Sequence, residues 1–193
     1  MNNRILIPYS KVKIGLALLG CLAFIALSTC ILLDDEGFTS IMFKSEVLNK
    51  VIAGIAILFF GAILVTIPIK LSSNSVGVII DDNGITDNSN FSSIGLIEWK
   101  DIKGVRTRQV EKTKFLLVYT NSPKKYIDKA ESGFKRRLLT ANNKMNGTPL
   151  SITSTILSMK FSQLEKIVAE AYKKNKNIHQ QQNKASSPSS FSH

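Results

Sequence analysis

The sequence predicts an α+β membrane protein. A two-helix transmembrane hairpin comes first, then a small antiparallel β-barrel or sandwich with an amphipathic inserted helix and a C-terminal capping helix. Three observations carry this reading. Two long runs near the N-terminus hold no charge. Short β-branched segments then recur at roughly ten-residue spacing with turn residues between them. Two later stretches repeat apolar residues at helical steps.

Ile14 to Leu33 is 20 residues without a charge, and Val51 to Ile69 is 19. At about 1.5 Å per residue, either run crosses a hydrocarbon core of about 30 Å. In lipid such a run must be helical, because a helix satisfies every backbone N–H and C=O within the segment. Residues 1–70 therefore read as the hairpin, 71–174 as one small polar domain, and 175–193 as a disordered tail rich in Gln and Ser. Arg4, Lys11 and Lys13 precede the first run and Lys70 follows the second, whereas Asp34 to Lys50 has four acids and two lysines. Lys and Arg mark the cytoplasmic side. Both termini are expected in the cytoplasm, with the protein in the plasma (inner) membrane, the acidic loop outside, and Tyr9 and Phe43 as interfacial aromatics.

Cys21 and Cys30 lie within the first run and read as small packing residues. The run continues past both, and it exceeds a signal-peptide core of about 7–15 residues. Gly20, Ala23 and Ala26 in the first span and Gly54, Gly61 and Ala62 in the second are small residues that let helices approach closely. Neither run carries Asp, Glu, Lys, Arg or His, which argues against an ion or proton path.

Residues 71–193 hold 19 Lys and Arg against 10 Asp and Glu, a balance of +9. Strands are expected at Val76–Asp82, Ile85–Asp87, Ser93–Trp99, Lys103–Val110 and Lys114–Thr120, with Asn83-Gly84 as a hairpin turn. In the third, Gly95, Ile97 and Trp99 share one face and Ile94, Leu96 and Glu98 the other. From Tyr126 to Met145 apolar residues recur at Ile127, Ala130, Phe134, Leu138, Ala141 and Met145, which predicts one helix weakened at Gly133. Leu150–Ile152 and Ile156-Leu157 read as short strands. Phe161, Leu164, Ile167, Val168, Ala171 and Tyr172 line a second amphipathic helix, with Ser162 as N-cap and Glu165 completing a capping box.

The order of these parts resembles a known family. A two-span hairpin is followed by Val78-Ile-Ile-Asp-Asp-Asn-Gly84, then Gly95-Leu-Ile-Glu-Trp-Lys-Asp-Ile102 with Gly104-Val105, then Asn146-Gly-Thr-Pro-Leu150 and a C-terminal helix. This is similar to uncharacterised bacterial two-span membrane proteins with a cytosolic pleckstrin-homology-like domain. The resemblance covers about residues 5–174. It implies an architecture and a location, and it brings no activity with it.

No Ser-His-Asp arrangement, Cys-His pair, phosphate-binding glycine loop or metal-ligand spacing is present, and His179 and His193 both fall in the expected tail. The chain is therefore expected to be non-enzymatic, without catalytic residues, cofactor or metal. Lys124, Lys125, Lys129, Lys135, Arg136, Arg137 and Lys144 form the candidate contact with anionic lipid headgroups. The bland alternative is a solvated helix face. Trp99 is favoured as a core residue, with Asp101 capping the turn before Gly104. With Arg106 and Arg108, Trp99 is also the candidate surface for a cytosolic protein partner. Nucleic acid is not expected, because no recognition motif accompanies the charge. A structural oligomer that alters envelope integrity or permeability is the second functional reading.

Overall fold

The computed structural model describes residues 4–33, 45–73 and 76–185. The acidic segment 34–44 with Phe43, the segment 186–193 with His193, and residues 74–75 lie outside the described residues. The chain divides into two compact units, residues 11–75 and residues 1–10 together with 76–193.

The first unit is a pair of helices, α1 (Lys11–Leu33) and α2 (Glu46–Ser73), packed against each other. Both are long and apolar enough to cross a membrane, and only 11% and 6% of their apolar windows are buried. Leu16, Leu19, Leu22, Leu27, Ile55, Leu58 and Val65 stay exposed. A soluble protein hides the apolar face of a core helix, whereas these helices display theirs. The seam between the helices follows a heptad. Ile14, Cys21 and Ser28 are the buried residues of α1, and Asn49 and Ala53 are buried on α2. The buried α1 residues recur at steps of seven, and small side chains at the contact let the two helices approach closely. Phe24 and Phe60 stack at 4.7 Å across the pair. Of the small residues expected at the contact, Ala23, Ala26 and Ala62 are exposed and Gly20, Gly54 and Gly61 are half-buried. Cys21 and Ala53 fill the seam instead, and Cys30 is exposed.

Among the described residues the second unit holds seven strands in two antiparallel sheets. One sheet has the order β1 (Ile5–Pro8), β2 (Val76–Ile80), β3 (Gly84–Asp87), β4 (Gly95–Glu98). The other has the order β5 (Ile102–Val110), β6 (Thr113–Thr120), β7 (Leu150–Thr153). β1 precedes the apolar helices in sequence yet pairs with β2, Ile5 opposite Ile80 and Ile7 opposite Val78. Ile7 and Val78 are fully buried. The expected boundary at residue 70 therefore leaves out a strand of the polar domain. The chain leaves this domain after Ser10 and returns at Val76.

The strands do not close into a barrel. Side chains and one isolated backbone bridge, rather than continuous strand pairing, satisfy the edges where the two sheets would join. Beyond β4 the chain makes a 3-10 turn, Trp99–Asp101, and β5 departs from it. The free edge of β4 is met by α3 (Pro123–Asp128) and the residue that follows it. The Glu98 N–H donates to the Tyr126 hydroxyl at 3.2 Å, and Lys129 Nζ donates to the Leu96 carbonyl at 3.4 Å. The far edge of β7 is met by the β3–β4 loop. Thr153 N–H donates to Ser89 Oγ at 3.1 Å, and Asn90 Nδ2 donates to the Ser151 carbonyl at 2.6 Å. After Pro8, which has no N–H to extend the ladder, the chain turns to the segment behind β7. Ser10 N–H donates to the Ile156 carbonyl and Ser158 N–H to the Pro8 carbonyl.

The turn between β2 and β3 is not the two-residue type expected. Ile80 pairs with Ile85, and three residues, Asp81–Asn83, separate the strands. Asp81 Oδ1 accepts from the Asn83 and Gly84 N–H groups. Gly84 is required because a Cβ there would lie 2.0 Å from the Ile97 carbonyl oxygen.

The expected helix over Tyr126–Met145 is two helices, α3 and α4 (Gly133–Asn146). Ser132 caps α4, its hydroxyl accepting from the Lys135 N–H at 3.2 Å. Gly133 thus opens a helix instead of weakening one. Gly147, at φ 73°, ends it in the left-handed conformation. The break changes the buried face to Tyr126 and Leu139, and Phe134 and Met145 point outward. The last helix, α5 (Phe161–Ala185), runs well into the segment expected to be a disordered tail. Its cap also differs: Gln163 Oε1 accepts from the Lys160 N–H, so Ser162 lies inside the helix. Glu165 instead accepts from the Thr107 hydroxyl. Leu164 and Val168 are fully buried against β5 and the 3-10 turn.

Candidate binding groove

Two arrangements stand out in the second unit, one closed on itself by ion pairs and one open as a groove. The closed one occupies the β4–β5 corner. Lys125 Nζ lies 2.5 Å from Glu98 Oε1 and 2.6 Å from Asp101 Oδ2, and Lys100 Nζ lies 2.6 Å from Glu98 Oε2. The Tyr126 hydroxyl donates to Asp101 Oδ2 at 2.7 Å. Hydrogen bonds from Lys100 and then Lys125 hold the Glu98 carboxyl down at about 2. Burial opposes ionisation of Asp101, but the bonds from Lys125 and Tyr126 outweigh it and the pKa is lowered. Burial and the bond to Asp101 push Tyr126 up. Every charge here has a partner within the cluster, so it pins α3 to the sheet and leaves no reactive group.

The open arrangement lies on the other face of the second sheet. Along β6 and β7, Leu116, Val118, Leu150 and Ile152 face the core and are buried. The alternate positions make the opposite face, because side chains alternate along a strand. There Arg108 sits opposite Phe115, and Leu117 lies between Arg106 and Ser151. Helix α4 and the loop Asn90–Ser92 cover this face only in part. The groove left between them has a volume of about 480 Å³, in the range of about 300–1,000 Å³ common for small-molecule sites. Its walls include Val110, Phe115, Leu117, Leu138 and Met145, and no acidic residue lines it. At its rim Phe91 is 68% exposed, Phe134 63% and Met145 71%. Phe91 and Phe134 meet edge to face at 6.0 Å. Arg108 is the only charged residue in the lining. Its Nη1 donates to the Met145 carbonyl at 3.2 Å and to Asn146 Oδ1, at the C-terminal end of α4, where a cation also meets the helix dipole favourably.

The structure scatters the residues singled out from sequence. Trp99 is 5% exposed, and its Nε1 donates to the Asp81 carbonyl at 2.7 Å. It is an internal residue and offers no surface to a partner. Asp101 bonds α3 and does not cap the turn before Gly104. Arg106 and Arg108 are exposed on β5. Among the seven cations of the candidate lipid contact, Lys125 is held by Glu98 and Asp101, and Lys129 lies over the Tyr126 ring. Lys124, Arg136, Arg137 and Lys144 are exposed, and Lys135 is half-buried. His179 falls on α5. Sequence reasoning missed the groove itself. Its one local signal is Phe91, an aromatic alone in a run of Asn and Ser.

Among the described residues no group of three or more His, Cys, Asp or Glu could hold a metal ion. No protein-family model, curated protein or solved structure matches this chain. The fold and groove define a class by themselves: an antiparallel two-sheet domain with an apolar helix pair inserted between its first two strands.

Proposed function

We propose that this chain is a non-enzymatic integral membrane protein that presents a cytosolic, pleckstrin-homology-like binding module. The β1–β2 pairing carries this reading. β1 precedes α1 and β2 follows α2, so both connections lie on the same side of any membrane the helices cross. The helices then cross together or not at all. A cleaved leader ending in α1 would take β1 with it and empty the place of fully buried Ile7. Lysine and arginine at these same ends support a cytoplasmic module. Two sheets with a C-terminal helix on the sheet corner support the pleckstrin-homology-like assignment. The groove, rimmed by exposed apolar side chains, supports binding, because patches of this kind mark interaction sites.

Topology reporters fused after Ser45 and after His193 test this reading. The first is expected to report the extracytoplasmic side and the second the cytoplasm, with the protein resisting alkaline carbonate extraction. The same sign at both positions would end the hairpin reading. A photocrosslinking residue in place of Phe91, used in living cells, is expected to capture a ligand or partner that one in place of exposed Lys103 does not.

A further inference from the structure

We infer that the groove between β5, β6, the Asn90–Ser92 loop and α4 binds a single-chain amphiphile with an anionic head, a long-chain fatty acid, its carboxylate held by Arg108 and its chain laid along Phe115, Leu117 and Leu138. This deepens the binding-module reading and rests on it only for the source of the lipid.

Charge and shape select the ligand. The walls are largely apolar, and apolar surface favours a hydrocarbon chain by about 25 cal/mol per Å² removed from water. A peptide would need backbone partners, and the polar lining is partly engaged already, the Asn90 amide by the Ser151 carbonyl and by Ser92, and Asn146 Oδ1 by Arg108, which leaves Asn142 as the main polar side chain for a backbone. The volume of about 480 Å³ is at the lower end of small-molecule sites, which suits one chain over two. Arg108 supplies the single charge, and no carboxylate neutralises it. Both of its bonds come from Nη1 and go to neutral oxygens. A guanidinium has five N–H donors in a planar fork, so donors remain for a carboxylate in the geometry Arg favours. Phe91 and Phe134, exposed and in contact with each other at the rim, would close over the chain.

The test uses the full chain in lipid discs of phosphatidylcholine and a palmitate carrying a diazirine on its chain. Irradiation is expected to label peptides containing Phe91 and Leu138–Met145. Unlabelled palmitate should compete, and hexadecanol, with the same chain and no charge, should compete about tenfold less well, as loss of a charged hydrogen bond implies. Arg108→Gln should cut labelling about tenfold with the emission of Trp99 unchanged, and Arg108→Lys should restore part of it. Label confined to α1 and α2 would overturn the proposal, as that is simple partition into the bilayer. Equal competition by hexadecanol would overturn it too, and that comparison needs no variant. Failure of the topology reporters would instead remove the membrane reading and leave labelling of the groove intact.

Discussion

Single residues bear on how the polar domain is expected to respond to acid. Lys100 and Lys125 hold Glu98 near 2, below the ordinary glutamate value of about 4.3. Asp101 is lowered as well. A carboxylate with a depressed folded-state pKa contributes stability above its unfolded value, and that stability is lost as pH falls toward the folded one. The thermal midpoint, followed by Trp99 emission, is expected to hold above about pH 4.5 and to fall steadily toward pH 2. Glu98→Gln should lower the plateau and flatten the slope; an unchanged slope would mean that Glu98 is not the titrating group. Tyr126 shows the same dependence on partners. Its ring is fully buried and its hydroxyl serves both the Glu98 N–H and Asp101. Tyr126→Phe keeps the packing but takes one partner from buried Asp101 and one from the half-buried Glu98 N–H, and is expected to cost about 1–3 kcal/mol in denaturant unfolding. None of this was legible from spacing. Lys125 and Asp101 are 24 residues apart in sequence, and no local pattern links them.

Elements defined by their own residues were legible, and elements defined by what they pack against were not. The apolar runs became α1 and α2 because lack of charge over some 20 residues is a local property. Six strand positions, β2 to β7, were legible because β-branched runs and turn residues adjoin in sequence. The helix over Tyr126–Met145 misled because its apolar steps run smoothly from Ile127 through Phe134, although the chain breaks at Ser132. Across a break, helical phase carries no meaning, and so Phe134 and Met145 seemed to face the core when they rim a groove. The signal available was Ser132-Gly133 read as a start, with the serine as cap. Ser132→Ala is expected to destabilise α4 by about 1 kcal/mol. Hydrogen exchange in the first turn of α4 should speed up while α3 is unaffected. Equal acceleration in both would mean that they are one element after all.

At the scale of the whole molecule, the domain is interrupted in sequence and continuous in space, and this decides how it can be cut. Charge and hydropathy change at residue 70, which marks the end of the hairpin in sequence but not the start of the domain. The four residues Ile5–Pro8 are too short a run to reveal a strand whose partner lies beyond two helices. Residues 71–193 alone lack β1. They would expose the edge of β2, a flat row of unpaired N–H and C=O groups prone to pairing with other chains. They would also lose buried Ile7 and Tyr9, with the Tyr9 hydroxyl bond to the Asn88 carbonyl. Removing one buried isoleucine side chain costs about 2–5 kcal/mol, a large share of the net stability of a small domain. Residues 71–193 are therefore expected to be poorly folded and to aggregate. Residues 4–10 joined to 76–185 through a two-glycine turn should be soluble and monomeric, because Pro8 already pairs with Val76 and a short turn can replace the helix pair. Gel filtration and Trp99 emission distinguish the two. If residues 71–193 fold as well as the joined chain, then β1 is dispensable, and the argument that the helices must cross together loses its footing.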